Sequence, residues 1–409
     1  MEDPSMTATA SPSLQELRRL RVDQIGSLAA PAALQALFDR NTRGEVTDDE
    51  LQAAQDDAIH DVIRKQEAIG LPIVTDGEFR RRNFQDSFGG AVSGYVVPEN
   101  LKQSYIERHE EITKEAFARA EQNFAAAGPP VAQRSAVAER LKLVRNVPLE
   151  EYRTAVPFAT VPVKETLVSA DRISQRFAHE LSTHVYADMD AFMTDVIAIE
   201  REMIGQLIAA GCRYIQIDAP GYTAYGDDVS LERMRSRGED PLENLDRAIR
   251  ADNAIIAGFD DVCFGIHLCR GNVRTLDPKT GHVLPQWHRV GTYDSYAEKL
   301  FSELHHDRFL LEYDTERAGG FEPLRFIPKD KIAVLGLVST KTEEIESIEL
   351  LERRIDEASK HLPLEQLALS PQCGFGGVGT RVVYPEPAQW KKFERILEVA
   401  GRVWKGERV

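Results

Sequence analysis

Eight short apolar runs, spaced along 409 residues and separated by stretches of helical character, constrain this chain more than any other feature. The runs lie at 20–27, 71–79, 156–163, 213–218, 262–269, 308–314, 331–338 and 367–371. Each is rich in Val, Ile, Leu or Phe and is bounded by Gly, Pro or polar residues, the signature of a buried strand. Between them the pattern switches to a helical period. Residues 47–69, for example, open on Thr47 with three acids in the first turn and close before Gly70, the expected order of cap, dipole partner and C-terminal glycine. Further helices are expected near 171–179, 186–210, 231–258, 293–305, 342–360 and 388–403. Strand, helix, strand repeated eight times predicts a parallel sheet and, with this count, a closed (β/α)8 TIM barrel. An open doubly wound sheet is the alternative.

One connection breaks the rhythm. Residues 80–152 are far too many for a structureless loop. They read as a helical insertion after the second strand, with helices near 112–127 and 136–144 and a Gly-Pro-Pro break at 128–130. Residues 1–13, rich in Ser, Thr, Ala and Pro, lack the basic and apolar regions of a signal peptide and read as a disordered tail. The expected organisation is this tail followed by one catalytic domain over 14–409.

Composition removes several function classes. A net charge of −16 leaves no surplus of Lys and Arg to neutralise phosphates, which argues against nucleic acid as a partner. No apolar run reaches the length of a membrane span. Four cysteines, at 212, 263, 269 and 373, are too few and too scattered for a disulfide framework, and fit a reducing, cytoplasmic setting.

The polar residues gain meaning from where they fall. Ser27, Glu78, Asp218, His267, Cys269, Glu312 and Cys373 all stand at or just past the C-terminal end of an expected strand. In a barrel those ends meet on one face, where the active site is built. His267 and Cys269 share one face of the fifth strand, and with Glu312 and Cys373 they make a set of one imidazole, two thiolates and a carboxylate. Zinc accepts all three donor types, whereas magnesium and calcium disfavour thiolates. Blander readings exist: Cys373 as a small buried hydrophobe, Glu312 as an ion-pair partner of Arg317. Cys212 and Cys263 fall near strand starts and read as packing thiols.

At HLCRGN, LLEYD and SPQCGF the sequence resembles the catalytic domain of the cobalamin-independent methionine synthases and their single-barrel relatives, from about Arg21 to the last helix. The resemblance implies a zinc enzyme that transfers a methyl group to a thiol, most commonly homocysteine. It implies His267, Cys269, Glu312 and Cys373 as zinc ligands. It also implies that Ile25 and Ser27 bind the amino-acid end of homocysteine, and that Glu78 and Asp218 act as catalytic residues gripping its ammonium group. The chain departs from the family at 337–342, Leu-Val-Ser-Thr-Lys-Thr, where relatives carry a histidine proposed as proton donor. The methyl donor is therefore open among a folate, a small methylated compound and a methylated carrier protein. The oligomeric state is open as well, a homodimer included. A second reading keeps the zinc chemistry but takes another thiol, such as coenzyme M, whose sulfonate would want the cations at Arg80, Arg81 and Arg82. The bland reading of those arginines is a solvated basic turn. A third reading is a non-catalytic zinc barrel.

Overall fold

A computed structural model describes residues 12–81, 84–96, 135–271, 273–276, 283–286, 289, 291–376, 385–405 and 407. Its centre is a six-stranded parallel sheet of β3 (Lys164–Val168), β4 (Tyr214–Asp218), β5 (Cys263–Leu268), β8 (Arg308–Glu312), β9 (Ile332–Val338) and β10 (Leu367–Pro371). The order across it is β10-β9-β8-β5-β4-β3. Every residue of these six strands is buried, as expected when helices cover one face and the strands enclose a core on the other.

The two remaining expected strands, 20–27 and 71–79, lie at the sheet's two edges and touch it through single parallel bridges, Val22 to Leu369 and Val74 to Val163. They also touch each other. The Leu28 amide donates to the Gly77 carbonyl at 3.1 Å, the Thr75 hydroxyl to that of Gly26 at 2.8 Å, and the Gln24 side chain to that of Ile73 at 2.8 Å. The continuous ladder is thus six-stranded. Polar side chains supplement a single main-chain bond at the seam, because Gly26 (φ +140°), Gly77 (φ +75°) and Glu78 (φ +57°) leave the extended conformation.

Several sequence expectations need correction. Residues 156–163 are not the third strand. Asn146 caps a helix at Val147–Ala155 by accepting from the Leu149 amide at 3.2 Å, and a 3-10 turn, Val156–Phe158, follows. Pro157 and Pro162 lack the N–H a central strand needs, so the strand starts at Lys164. Residues 136–144 form no helix but a strand, β2 (Val137–Leu143), antiparallel to β1 (Val92–Tyr95). Buried Val137 and Leu141 are four apart, a spacing that mimics a helix. A register shift opposite Gly94 (φ +111°) accommodates the exposed residues between them. The span 231–258 is two helices, Asp228–Ser236 and Pro241–Ile256, divided at Gly238 (φ +77°) and restarted by Asp240 as cap and Pro241 in the first turn. A hairpin of β6 (Val273–Leu276) and β7 (Val283–Gln286) after β5 was not foreseen. The helix at Asp48–Ala68 forms as expected, with a capping box between Thr47 and Glu50. The expected helix at 112–127, the Gly-Pro-Pro break and residues 1–11 of the tail lie outside the described residues. Ser13 caps the helix Leu14–Arg18. No helix among the described residues is long and apolar enough to cross a membrane.

At the N-terminal end of the strands a fully buried charge cluster ties the first segment to the sheet. Asp23 accepts from Lys164 of β3 at 2.8 Å, Arg308 of β8 at 3.0 Å and the Tyr214 hydroxyl of β4 at 2.5 Å. Burial works to raise the Asp23 carboxyl, but Lys164 and Arg308 outweigh it and hold the group below its usual 3.8. Its stabilising contribution is therefore complete above that value and is lost as the pH falls through the lower folded-state value. Asp23→Asn leaves two cations buried without a counter-charge. It is expected to cost about 3–5 kcal/mol in urea unfolding at pH 7, with the difference from wild type shrinking in acid.

Candidate metal centre

Three of the expected ligands come together. His267 is the penultimate residue of β5, Cys269 follows that strand, and Cys373 lies two residues past β10. Their donor atoms all fall within 4.8 Å of one another. The two sulfurs are 3.7 Å apart, far beyond a disulfide bond. Two thiolates on one tetrahedral ion with 2.3 Å bonds would stand about 3.8 Å apart. The His267 ring is oriented for the same purpose. Its Nδ1 faces the Leu310 carbonyl at 3.3 Å, while its Nε2 is buried with no protein partner. A backbone acceptor on one ring nitrogen and an orphaned lone pair on the other is the usual arrangement of a metal-bound histidine. The donor set fits a thiophilic cation.

The charges agree. Cys269 is held well below its ordinary thiol value by the Cys373 thiol and then by His267, which together overcome burial. Cys373 is pushed well up by that hydrogen bond and by burial. The pair thus retains one proton between two sulfurs, and a cation would displace it.

Glu312, the last residue of β8, is outside the 4.8 Å set. Its Oε1 accepts from Arg317 Nη2 at 2.5 Å and from Lys341 at 3.2 Å, and its Oε2 accepts the Arg270 amide at 2.5 Å. The ion pair with Arg317 weighed from sequence is present. Burial tends to raise this carboxyl, but Lys341, Arg317 and Arg270 hold it at about 2, so it is ionised at neutral pH.

Beside the sulfurs stand the other expected residues. Ser27 packs so closely on Gly374 that a Cβ there would lie 1.9 Å from its Oγ. The Glu78 carboxylate lies over Gly26, where a Cβ would meet its Oε1 at 2.7 Å. The Thr166 hydroxyl donates to Glu78 at 2.8 Å. Glu78 holds a left-handed backbone, unfavourable for a residue with a Cβ, and the Asp76 carboxylate pins its amide at 2.8 Å. Asp218, at the end of β4, is in register with His267. Burial pushes its carboxyl up to about 7, against the pull of His267. Gln216 links two of these residues, donating to the Ile25 carbonyl at 2.6 Å and to Asp218 at 2.7 Å.

Sequence reasoning missed Gln216 and Lys341, and it read Arg81 as a cation for a sulfonate or part of a solvated turn, without its partner. Gln216 had a signal, a polar residue inside an apolar strand and on the same face as Asp218. The pairing of Arg81 had none: its partner Glu151, at 2.7 Å, lies seventy positions away. Nor is Arg81 part of a solvated turn, since it is 2% exposed and also donates to the Thr166 carbonyl at 2.8 Å. Arg80 pairs with Asp56, and Arg82 lies outside the described residues. Cys212 and Cys263 are buried as expected, their thiols driven up chiefly by burial.

The chain matches the family model described as "Cobalamin-independent synthase, Catalytic domain" over residues 21–122. It is 31% identical to the uncharacterized protein YxjH of Bacillus subtilis over 395 residues, covering 94% of this chain and 95% of that one. The chain belongs to the cobalamin-independent methionine synthase family. A methionine synthase of Pyrococcus abyssi is 23% identical over 95% of this chain and 96% of its own. The fold is shared with a solved B12-independent methionine synthase from Shewanella sp. W3-18-1, with a TM-score of 0.66 at 18% identity, covering 94% and 98% of the two chains. Family membership supports a methyltransferase function acting on small molecules.

The geometry predicts one tightly held divalent ion per chain. Metal analysis after dialysis is expected to find it in wild type and in Cys212→Ser. It is expected to be lost from Cys269→Ser and from Cys373→Ser.

Proposed function

We propose that this protein is a zinc-dependent methyltransferase that passes a methyl group to the sulfur of homocysteine, giving methionine. The observation that carries the reading is the juxtaposition of His267, Cys269 and Cys373 with Glu78, Asp218 and Ser27, a cation site beside groups suited to an amino acid. Zinc would be held by His267, Cys269, Cys373 and Glu312; Glu312 Oε2, with one hydrogen bond, retains a lone pair for it. Bound there, zinc lowers the pKa of a coordinated thiol so that a thiolate exists at neutral pH.

The chain's own residues do the rest. Ile25 and Ser27 hold the amino-acid end of the substrate, and Glu78 and Asp218 take its ammonium group. The ammonium would also favour the ionised form of Asp218, which burial opposes in the free protein. Gln216 and Thr166 fix the two carboxylates before substrate arrives, which lowers the entropic cost of aligning sulfur and methyl carbon. The strained backbone at Glu78 fits such pre-positioning.

The same reading takes residues 14–409 as one domain, the contacts between segments 24–28 and 73–77 closing the six strands into an eight-membered barrel. Four cysteines without a disulfide suit a cytoplasmic enzyme. Coenzyme M is the weaker acceptor. The arginine beside Glu78, Arg81, commits its guanidinium to Glu151 and Thr166, and carboxylates near the site would repel a sulfonate.

Calorimetry of the zinc-loaded protein in two buffers of different ionisation heat tests the acceptor. Homocysteine is expected to bind with release of about one proton, and coenzyme M and cysteine to bind at least about tenfold more weakly. Equal binding of all three would remove homocysteine as the substrate. Glu78→Gly is expected to relieve the left-handed strain and leave the unfolding midpoint equal to wild type or higher, while homocysteine affinity falls about tenfold or more. Unchanged affinity would exclude Glu78 from substrate binding.

A further inference from the structure

The roles assigned so far leave a buried ion pair behind Glu78 unexplained. Arg81, three residues further along, folds back on Glu78: its amide donates to the Glu78 carbonyl at 3.1 Å, and its Nη1 stands 3.7 Å from Glu78 Oε1. Glu151 meets the same guanidinium from the helix Val147–Ala155, at the end of the long connection after the second expected strand. Arg81 Nε lies 3.0 Å from both Glu151 oxygens, and Nη2 donates to Oε2 at 2.7 Å. Both side chains are buried, so the pair bears the cost of removing two charges from water. An apolar pair of similar volume would commonly serve the fold as well. Stability alone does not account for the charges.

The rest of the guanidinium is taken up by Thr166 of β3. Nη2 donates to the Thr166 carbonyl at 2.8 Å and Nη1 to its hydroxyl at 2.9 Å. A hydroxyl has one proton to give. With Arg81 donating into the Thr166 oxygen, that proton is directed to Glu78 Oε1, 2.8 Å away. Glu151, Arg81, Thr166 and Glu78 thus form a chain of hydrogen bonds with a single polarity, in which each bond strengthens the next. The charge of Glu78 depends on the same chain. Burial pushes its carboxyl up, and Arg81, then Thr166, oppose that push. Two acids close by lack such partners: Asp76 Oδ2 and Glu165 Oε1 are buried without a hydrogen bond, and both carboxyls are pushed up, chiefly by burial.

We infer that Arg81 and Glu151 are positioning residues for the acceptor's ammonium group: acting through the Thr166 hydroxyl they hold the Glu78 carboxylate in one orientation, and so set the preference for an amino thiol over the same thiol without its nitrogen. The inference rests on the reading of Glu78 as a residue that takes the ammonium. Neither positioning residue touches the substrate. A carboxylate free to turn would lose that freedom on binding, whereas one fixed beforehand does not. The same contacts favour its ionised form, the one an ammonium needs. The long connection thereby gains a part in the site, since the helix that ends it supplies Glu151.

The test compares two ligands of the zinc-loaded full-length protein by calorimetry, homocysteine and 4-mercaptobutanoate, which lacks only the amino group. Wild type is expected to favour homocysteine by at least about tenfold. The double substitution Arg81→Met with Glu151→Met removes both charges, so neither is left buried alone. Arg81→Lys keeps a cation opposite Glu151 but lacks the fork that reaches Glu151 and Thr166 together. Thr166→Val keeps the ion pair and removes the hydroxyl. In each, homocysteine is expected to bind about tenfold more weakly while 4-mercaptobutanoate is unchanged, so the preference falls toward one. Equal weakening of both thiols, or a wild-type preference that survives in these variants, overturns the positioning role and leaves the ammonium reading of Glu78 standing. A wild type that binds both thiols alike overturns that reading and the positioning role with it.

Discussion

The buried contact of Asp23 with Lys164, Arg308 and Tyr214 sets the frame on which the rest of the structure depends. The first segment touches the sheet through a single main-chain bridge at Val22, too little to fix its height or rotation. Asp23 supplies what the ladder does not. Its carboxylate ties this segment to β3, β4 and β8 at once, and Arg308 also donates to the Arg18 and Leu20 carbonyls at 2.7 and 2.9 Å. Replacing such a cluster with apolar residues can be neutral in stability. Here it fixes position: two residues beyond Asp23 lie Ile25, Gly26 and Ser27, which meet Glu78 and Gly374. A slip of the first segment would carry Ser27 away from the cysteine loop.

A second constraint acts at the other end of the strands. Parallel pairing puts Asp218 beside His267, and a helix-covered sheet leaves its strand ends free to bear polar groups. Those groups are then satisfied by one another: Gln216 by Ile25 and Asp218, Thr166 by Glu78, Arg81 by Glu151. Among the described residues eighteen buried side-chain atoms have no hydrogen-bond partner, and His267 Nε2 is the one that belongs to the His-Cys-Cys set. There a bound cation would complete the bonding.

The parts of this design legible in the sequence share a cause. His267, Cys269 and Cys373 could be found because each follows an apolar run whose end is local information, and because sulfur and imidazole carry a distinctive chemistry. The β3 boundary was misplaced because Val156 and Val161 are as apolar as a strand, while the prolines at 157 and 162 and the cap at Asn146 argue for a turn. β2 was misread because Val137 and Leu141 are spaced for a helix, and its partner Tyr95 lies more than forty residues away. The pairing of Arg81 with Glu151 and of Lys341 with Glu312 was invisible for the same reason: a long-range ion pair has no local pattern. Glu312 shows the remaining ambiguity. A carboxylate at a strand end suits a metal or an arginine, and here it already holds the arginine.

The charges around the site also account for its polarity. Carboxylates of Glu78 and Asp218 stand with the backbone turn at Ile25–Ser27, in the same region as His267, Cys269 and Cys373. Under the proposed function, a field of this kind favours the ammonium of an amino acid and repels an anionic group in its place. The burial that pushes Asp218 up to about 7 reflects the same circumstance. Its carboxylate is held in a low-dielectric place where charge is expensive alone and stabilised by a partner of opposite sign, so that, under that function, binding energy there would be directed into alignment at the sulfur.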